Sequence, residues 1–347
     1  MKPQIASIVA SAVLAAASLL PAAAVAAAEP LRAVGRTEMP EYKGDFDHFA
    51  YDLKGNRLFL AGEDMGTLEV FDLKTGKRVK TVNGLETPHA IHYIAEMDRL
   101  IVSNSGDGLT KVLDGKTYSV IDTFRLTPGA DVMNYDPSTK SVWIVTGGKN
   151  AEKKLPDTVV AVVDPATGKT RGEVKFDTDF TEAIAFEQKG KRAFVNVSGK
   201  HYVAVVDKGT HKVVATWPVK EGENNAPMAL DEPNKRLFIV TRKPFKLVVI
   251  DTDTGKSVAS LEAPPRCNEL IFDQANRRIY LTGDEHVAVI EQKSADKYEE
   301  IARVKSDKGA KTAIYIPELK RLYVAVAGKG DTQAGVLHYD VVPAQPK

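Results

Sequence analysis

The chain has 347 residues, and its 47 Lys and Arg against 46 Asp and Glu leave a net charge of only +1. Nothing global therefore draws it to nucleic acid or to an anionic membrane. Cys267 is its single cysteine, which excludes an internal disulfide, a Cys-based zinc cluster and a CxxCH haem attachment.

Met1–Ala28 carries one charge, Lys2, then a long apolar run and an Ala-x-Ala end before Glu29. This reads as a secretory signal peptide cleaved near Ala28, which directs the protein to the periplasm or outside the cell. A retained N-terminal anchor is the other reading of so uncharged a run. Glu29, not a cysteine, stands directly after the cleavage point, so a lipid anchor there is not expected. Residues 29–347 then read as one domain.

That domain repeats itself. Val70–Lys77 reads VFDLKTGK, Val163–Lys169 reads VDPATGK and Ile250–Lys256 reads IDTDTGK. Weaker copies are Val112–Thr117 (VLDGKT) and Val206–Lys212 (VDKGTHK). A second marker gives the period. Arg57, Arg99, Ser141, Arg192, Arg236, Arg278 and Arg321 recur every 42–51 residues, each before a short β-branched or aromatic run. Such a period is that of a four-stranded propeller blade.

In the first repeat, His48–Asp52 is predicted as strand A, Arg57–Ala61 as B, Thr67–Phe71 as C and Lys77–Val82 as D. The Asp72–Gly76 turn joins C to D; Gly accepts positive φ and Asp bonds the local backbone. Seven markers predict an all-β, seven-bladed propeller of four-stranded antiparallel blades. The seventh repeat stops after Val336–Val342, so its outer strand is expected from Leu31–Glu38, closing the ring and covering an edge.

Aligning the repeats places one residue per blade near the start of strand A: Asp47, His89, Asp131, Glu182, Ala226, Asn268 and Lys311. All but Ala226 are polar or charged. Two positions on, Phe49, Ile91, Met133, Ile184, Met228, Leu270 and Ala313 are all apolar. A polar ring at the channel mouth above an apolar layer follows. Those six polar residues are the candidate ligand-binding set. Their O and N donors also suit a divalent metal, although no cofactor is required by the sequence. The competing account is a hydrated entrance whose charges pair with each other.

The B–C loops share that rim. Gly147–Asp157 (GGKNAEKKLPD) is the one large insertion, and long loops on a rigid scaffold often bind. Lys149, Lys153, Lys154 and Lys200, with Arg242, Lys243 and Lys246 around Phe245 in a fifth-blade loop (TRKPFK), would form a basic arc able to meet an anion, a peptide or a single nucleic-acid strand. Glu63, Asp64, Asp107, Glu152 and Asp157 dilute it. Strand alternation sets His89 against His92, and His48 against Asp47, so neither pair is expected to act jointly. His201 and His286 read as exposed loop residues and His338 as packed. No nucleophile elbow, zincin helix or phosphate loop occurs.

The strand, VxDxxTGK turn and strand pattern over about residues 30–343 resembles the YVTN-type β-propeller family and is similar to periplasmic YncE-like propellers. The resemblance implies the fold far more than a function. DNA binding is associated with YncE-like members, but the near-neutral charge here does not favour it. Quinone-dependent dehydrogenases share a related motif; here Val205–Trp217 departs from it, with THK for TGK and Trp217 two positions late. Lactonase-like propellers place carboxylates and Asn around a channel metal, similar in type to Asp47, Asp131, Glu182 and Asn268.

The expected function is thus a non-catalytic binding or scaffold propeller that recognises a peptide, protein or small ligand at the loop rim and channel mouth. A metal-assisted lactonase- or lyase-like enzyme is the first alternative, and a nucleic-acid binder the second.

Overall fold

A computed structural model describes residues 29–344. The signal-peptide reading of Met1–Ala28 lies outside the described residues. Seven four-stranded antiparallel sheets follow one another along the chain and form a seven-bladed β-propeller. The first blade is Phe49–Asp52 (A), Arg57–Gly62 (B), Thr67–Asp72 (C) and Arg78–Val82 (D). Ala310–Ile316, Arg321–Val326 and Gly335–Val341 make strands A to C of the seventh. Its fourth strand is Leu31–Glu38, paired from Leu31↔Val341 to Glu38↔Gly335. The ring is closed by the N-terminal strand, as the short seventh repeat predicts.

The burial gradient across a blade explains its composition. Strand B of blade three, Ser141–Gly147, is buried at every position, whereas strand D of blade one is half-buried or exposed throughout. Sheets covered on both faces need continuous apolar runs, and the outermost strands do not. The core therefore lies between blades. Ile101 and Val112 of blade two pack with Val142, Ile144 and Ala161 of blade three. Met39, Tyr42 and Phe46, which follow the closing strand, pack between blades seven and one.

The repeated turn is a side-chain-capped hairpin. Asp251 Oδ1 accepts from the Thr254 N–H at 2.8 Å and from Thr254 Oγ1 at 2.9 Å, and the Gly255 N–H reaches Asp251 O at 2.8 Å. Asp72 with Thr75, Asp114 with Thr117 and Asp207 with Thr210 repeat the bonds. Gly255 sits at φ 69°, where a Cβ is disfavoured. In the weaker copies Tyr118 (φ 63°) and His211 (φ 55°) take that position.

Four of the arginine markers join blades. Arg57 pairs with Asp52 of its own blade at 2.7 Å, then reaches Asp98 at 3.1 Å and the Gly115 carbonyl in blade two. Arg192 reaches Thr252 O, Arg236 reaches Asp296 at 2.8 Å and Arg278 reaches Val342 O at 2.5 Å. Each is a step from one blade to the next.

Two details depart from expectation. TRKPFK is not a loop, because Arg242 ends one strand and Phe245 opens the next, paired directly across a tight hairpin. The insertion after Gly147 begins with a 3-10 turn, Gly148–Asn150, before strand C resumes at Thr158. Gly148 has φ 61°, and a Cβ there would lie 2.1 Å from Asp179 O, so glycine lets the insertion fold back on the mouth.

Candidate functional site

The same backbone bond recurs at the polar column in four blades. The N–H groups of Asp47, Asp131, Glu182 and Ala226 donate to Ala61, Val145, Asn196 and Val240 of strand B at 2.9–3.0 Å. This holds these four residues two positions before strand A, at the channel, whereas His89 and Lys311 lie within strand A. Asp47, His89, Asp131, Glu182, Asn268 and Lys311 line a single polar cup of about 150 Å³. His48, Glu63, Lys149 and Asn150 complete its wall.

Its groups are strongly connected. His89 Nδ1 is 2.7 Å from Asp47 Oδ2 and 3.6 Å from Asp131 Oδ1, and its Nε2 is 2.9 Å from Ser105 Oγ. Asn150, at the folded-back insertion, donates to Asp131 Oδ2 at 2.5 Å. His48 Nε2 is 3.6 Å from Asp47, and its Nδ1 is 3.4 Å from Glu269. Lys311 Nζ is 3.6 Å from both Glu63 and Asp45. Arg242 donates to Asn268 Oδ1 at 2.5 Å and to Glu182 Oε1 at 3.3 Å. Lys149 Nζ stands 3.1 Å from the centre of the Phe180 ring, a cation–π contact.

Burial and pairing compete in setting the charges. Burial works against ionised Asp47, but His48, His89 and Lys311 outweigh it and hold the carboxyl below its ordinary range. Burial also opposes charge on the histidines. Asp47 and Glu269 nevertheless lift His48 to about 10, and Asp131 and Asp47 lift His89 to about 9. Burial keeps Glu182 above the usual carboxylate range despite Arg242. Glu63 is raised by burial and by Asp47 beside it. Burial lowers Lys149.

Alternation misplaces His48. Strand A begins at Phe49, so residues 47 and 48 precede the pleat and both reach the cup. His92 behaves as expected and does not join His89. It stacks on Tyr135 with ring centres 4.7 Å apart, and burial lowers it to about 4. His338 packs against Tyr323. Glu63 was visible in the sequence only as a rim acid. Asn150 and Glu269 carried no signal, since nothing in the pattern shows how an insertion folds or which face precedes strand A.

The basic residues do not act together as one arc. Lys149 lines the cup, and Arg242 stands behind its wall, bonded to Glu182 and Asn268. Lys153, Lys154 and Lys243 are exposed, and Phe245 is half-buried. Lys154 and Lys200 border a shallow cleft that also holds Asp177 and Asp179.

Below the cup the channel widens into a cavity of about 720 Å³. Its lining runs from His48, Glu182 and Asn268, shared with the cup, to Lys54 and Ala95 in the A–B turns of the opposite face. The apolar column supplies Phe49, Ile91, Met133, Met228 and Ala313 to its wall. Among the described residues no helix is long and apolar enough to cross a membrane.

No family model matches the chain. Two curated relatives are similar over part of it. "Uncharacterized protein YncE" of Escherichia coli O157:H7 is 26% identical over 133 residues, 37% of this chain and 35% of the relative. The protein of the same name from Salmonella typhimurium is 22% identical over 164 residues, 46% of this chain and 44% of the relative. The chain thus matches less than half the length of these relatives, and the similarity is to proteins whose own function is unnamed.

Proposed function

We propose that this is an exported, non-catalytic binding propeller of the YVTN type, which seats the charged end of a small ligand or peptide in the cup at the channel mouth. One observation carries the reading. Residues from six blades bring carboxylates, imidazoles, two amides and two ammonium groups into about 150 Å³, with both signs of charge within reach. A zwitterionic end group would find acceptors at Asp131 and Asp47 and donors at Lys311 and Lys149. The cup is too small for a whole peptide, so the rest would lie along the B–C rim, where Lys153, Lys154 and Lys243 are exposed. The Asp47–His89 and Glu182–Arg242 pairs supply the acids with internal partners, which suits fixed recognition better than proton transfer.

The test is a thermal-shift screen of amino acids and di- and tripeptides. A ligand that stabilises the protein is expected to lose its effect in Lys311→Met and Asp131→Asn. Stabilisation that survives both changes would remove the cup from the account.

A second reading has one observation in its favour. Asp47, Glu63 and His89 offer ligand atoms within 4.8 Å of one another, a donor set suited to Mn²⁺ or Zn²⁺. A metal-assisted lactonase or lyase would use it. Mn²⁺-dependent hydrolysis of a simple lactone, lost in Glu63→Gln, would favour the enzyme. Nucleic-acid binding is the weakest reading, because the basic side chains are divided between the cup and an acid-lined cleft.

A further inference from the structure

The larger cavity is a different chemical environment from the cup and opens toward the other face. Its volume of about 720 Å³ falls within the roughly 300–1,000 Å³ of small-molecule sites. Six blades contribute apolar or aromatic side chains to the wall, Phe49, Ile91, Met133, Met228, Ile271 and Tyr315, interrupted by His92 and Asn134 and by Asp52 and Lys54 toward the outer end. These side chains pack against neighbouring blades and also border the open space of the channel.

The polar layer is a septum between the two spaces, and it is not symmetric. Lys149 and Lys311 line the cup only. Arg242 lines neither space, although it bonds Glu182 and Asn268. Glu182 and Glu269 both border the lower cavity. Glu182 meets Arg242 through Oε1, and Glu269 meets His48 and Thr312 through Oε2. Among the described residues the second oxygen of each carboxylate accepts no hydrogen bond, which leaves it available to a donor from below. At the inner end, then, the tube terminates in two carboxylates, Glu182 and Glu269, with the His48 imidazole and the Asn268 amide beside them. At the outer end Tyr51, Tyr93 and Tyr315 add ring faces, surfaces that tolerate a passing cation.

We infer that this cavity is a second binding site, taking a small apolar or aromatic amine whose ammonium meets Glu182 and Glu269 at the septum. The inference is independent of what the cup binds. A carboxylate of the same shape would bring a like charge against two acids and is disfavoured. The ammonium would supply the counter-charge that buried Glu182 lacks on this side.

The experiment is calorimetric titration of the purified protein with 1-naphthylmethylamine and, separately, with 1-naphthoate, which share an apolar body and differ in the charge of the head. The amine is expected to bind one per chain, at least about tenfold tighter than the acid. Ile271→Trp, which fills the cavity and leaves the cup untouched, should weaken the amine by about tenfold or more. Circular dichroism establishes that this variant is folded, and Ile314→Trp replaces it if not. No binding of the amine, equal binding of the naphthoate, or full affinity in a folded tryptophan variant would each overturn the inference. Should neither variant fold, the comparison of amine with acid on the unmodified protein still decides.

Discussion

His48, Asp47 and His89 show how far a side chain's neighbours can reverse what burial alone would do. A buried histidine ordinarily loses its proton, as His92 does in its apolar stack. His89, with Asp47 at 2.7 Å, is instead lifted to about 9. The sign of the linkage follows. His89 is raised above its unfolded value of about 6.5, so its contribution is complete below that pH and is lost as pH rises through 9. Asp47 is depressed, so its contribution is complete above about pH 4 and is lost as pH falls through its folded value. Stability should therefore decline on the alkaline side between about pH 6.5 and 9. Asp47→Asn should flatten that decline and move the His89 titration, followed by imidazole NMR, below 9. An unmoved titration would mean that Asp131 and Glu63 dominate instead. The six polar column residues were legible because repeats align like positions. His48 was not, since the alternation rule was applied one residue before the strand begins.

At the level of elements, the two sequence markers do different work. The VxDxxTGK phrase closes the hairpin of a single blade through Asp, Thr and a left-handed Gly. At Arg57, Arg192, Arg236 and Arg278 the arginine at the head of strand B ties that blade to the next. Its periodicity was readable, but its role was not, because its partners lie about 40–60 residues away in a neighbouring turn. Arg57→Ala would leave Asp52, only 4% exposed, as a buried carboxylate without its counterion. It should cost about 3 kcal/mol in a urea titration. A loss within experimental error would show that the clamp is incidental. The TRKPFK hairpin teaches the converse. A run of Lys, Pro and Arg suggested a loop, yet two residues suffice for the turn and Arg242 is directed to Glu182 and Asn268.

For the whole molecule, closure is the feature that the sequence showed most plainly, since a seventh repeat lacking its outer strand leaves few places to find one. Leu31–Glu38 supplies it, and Leu31 and Met39 are wholly buried. Removing residues 29–40 should expose the Gly335–Val341 edge and lower Tm by about 10 °C or more. A truncated protein that melts as the full chain does would mean that the ring holds without its closing strand. The division of the channel into a polar cup and an apolar cavity was only half legible. The polar and apolar columns pointed to two layers, but the width of the lower space depends on blade geometry that no repeat encodes.

The binding account rests on the cup, and calorimetric titration with the most stabilising peptide of the screen, followed by recovery of that peptide, tests it most directly. The predicted result is one site per chain, an affinity at least about tenfold weaker in Lys311→Met, and a peptide recovered unchanged. Undiminished affinity in both Lys311→Met and Asp131→Asn, or a peptide recovered chemically altered, would contradict it.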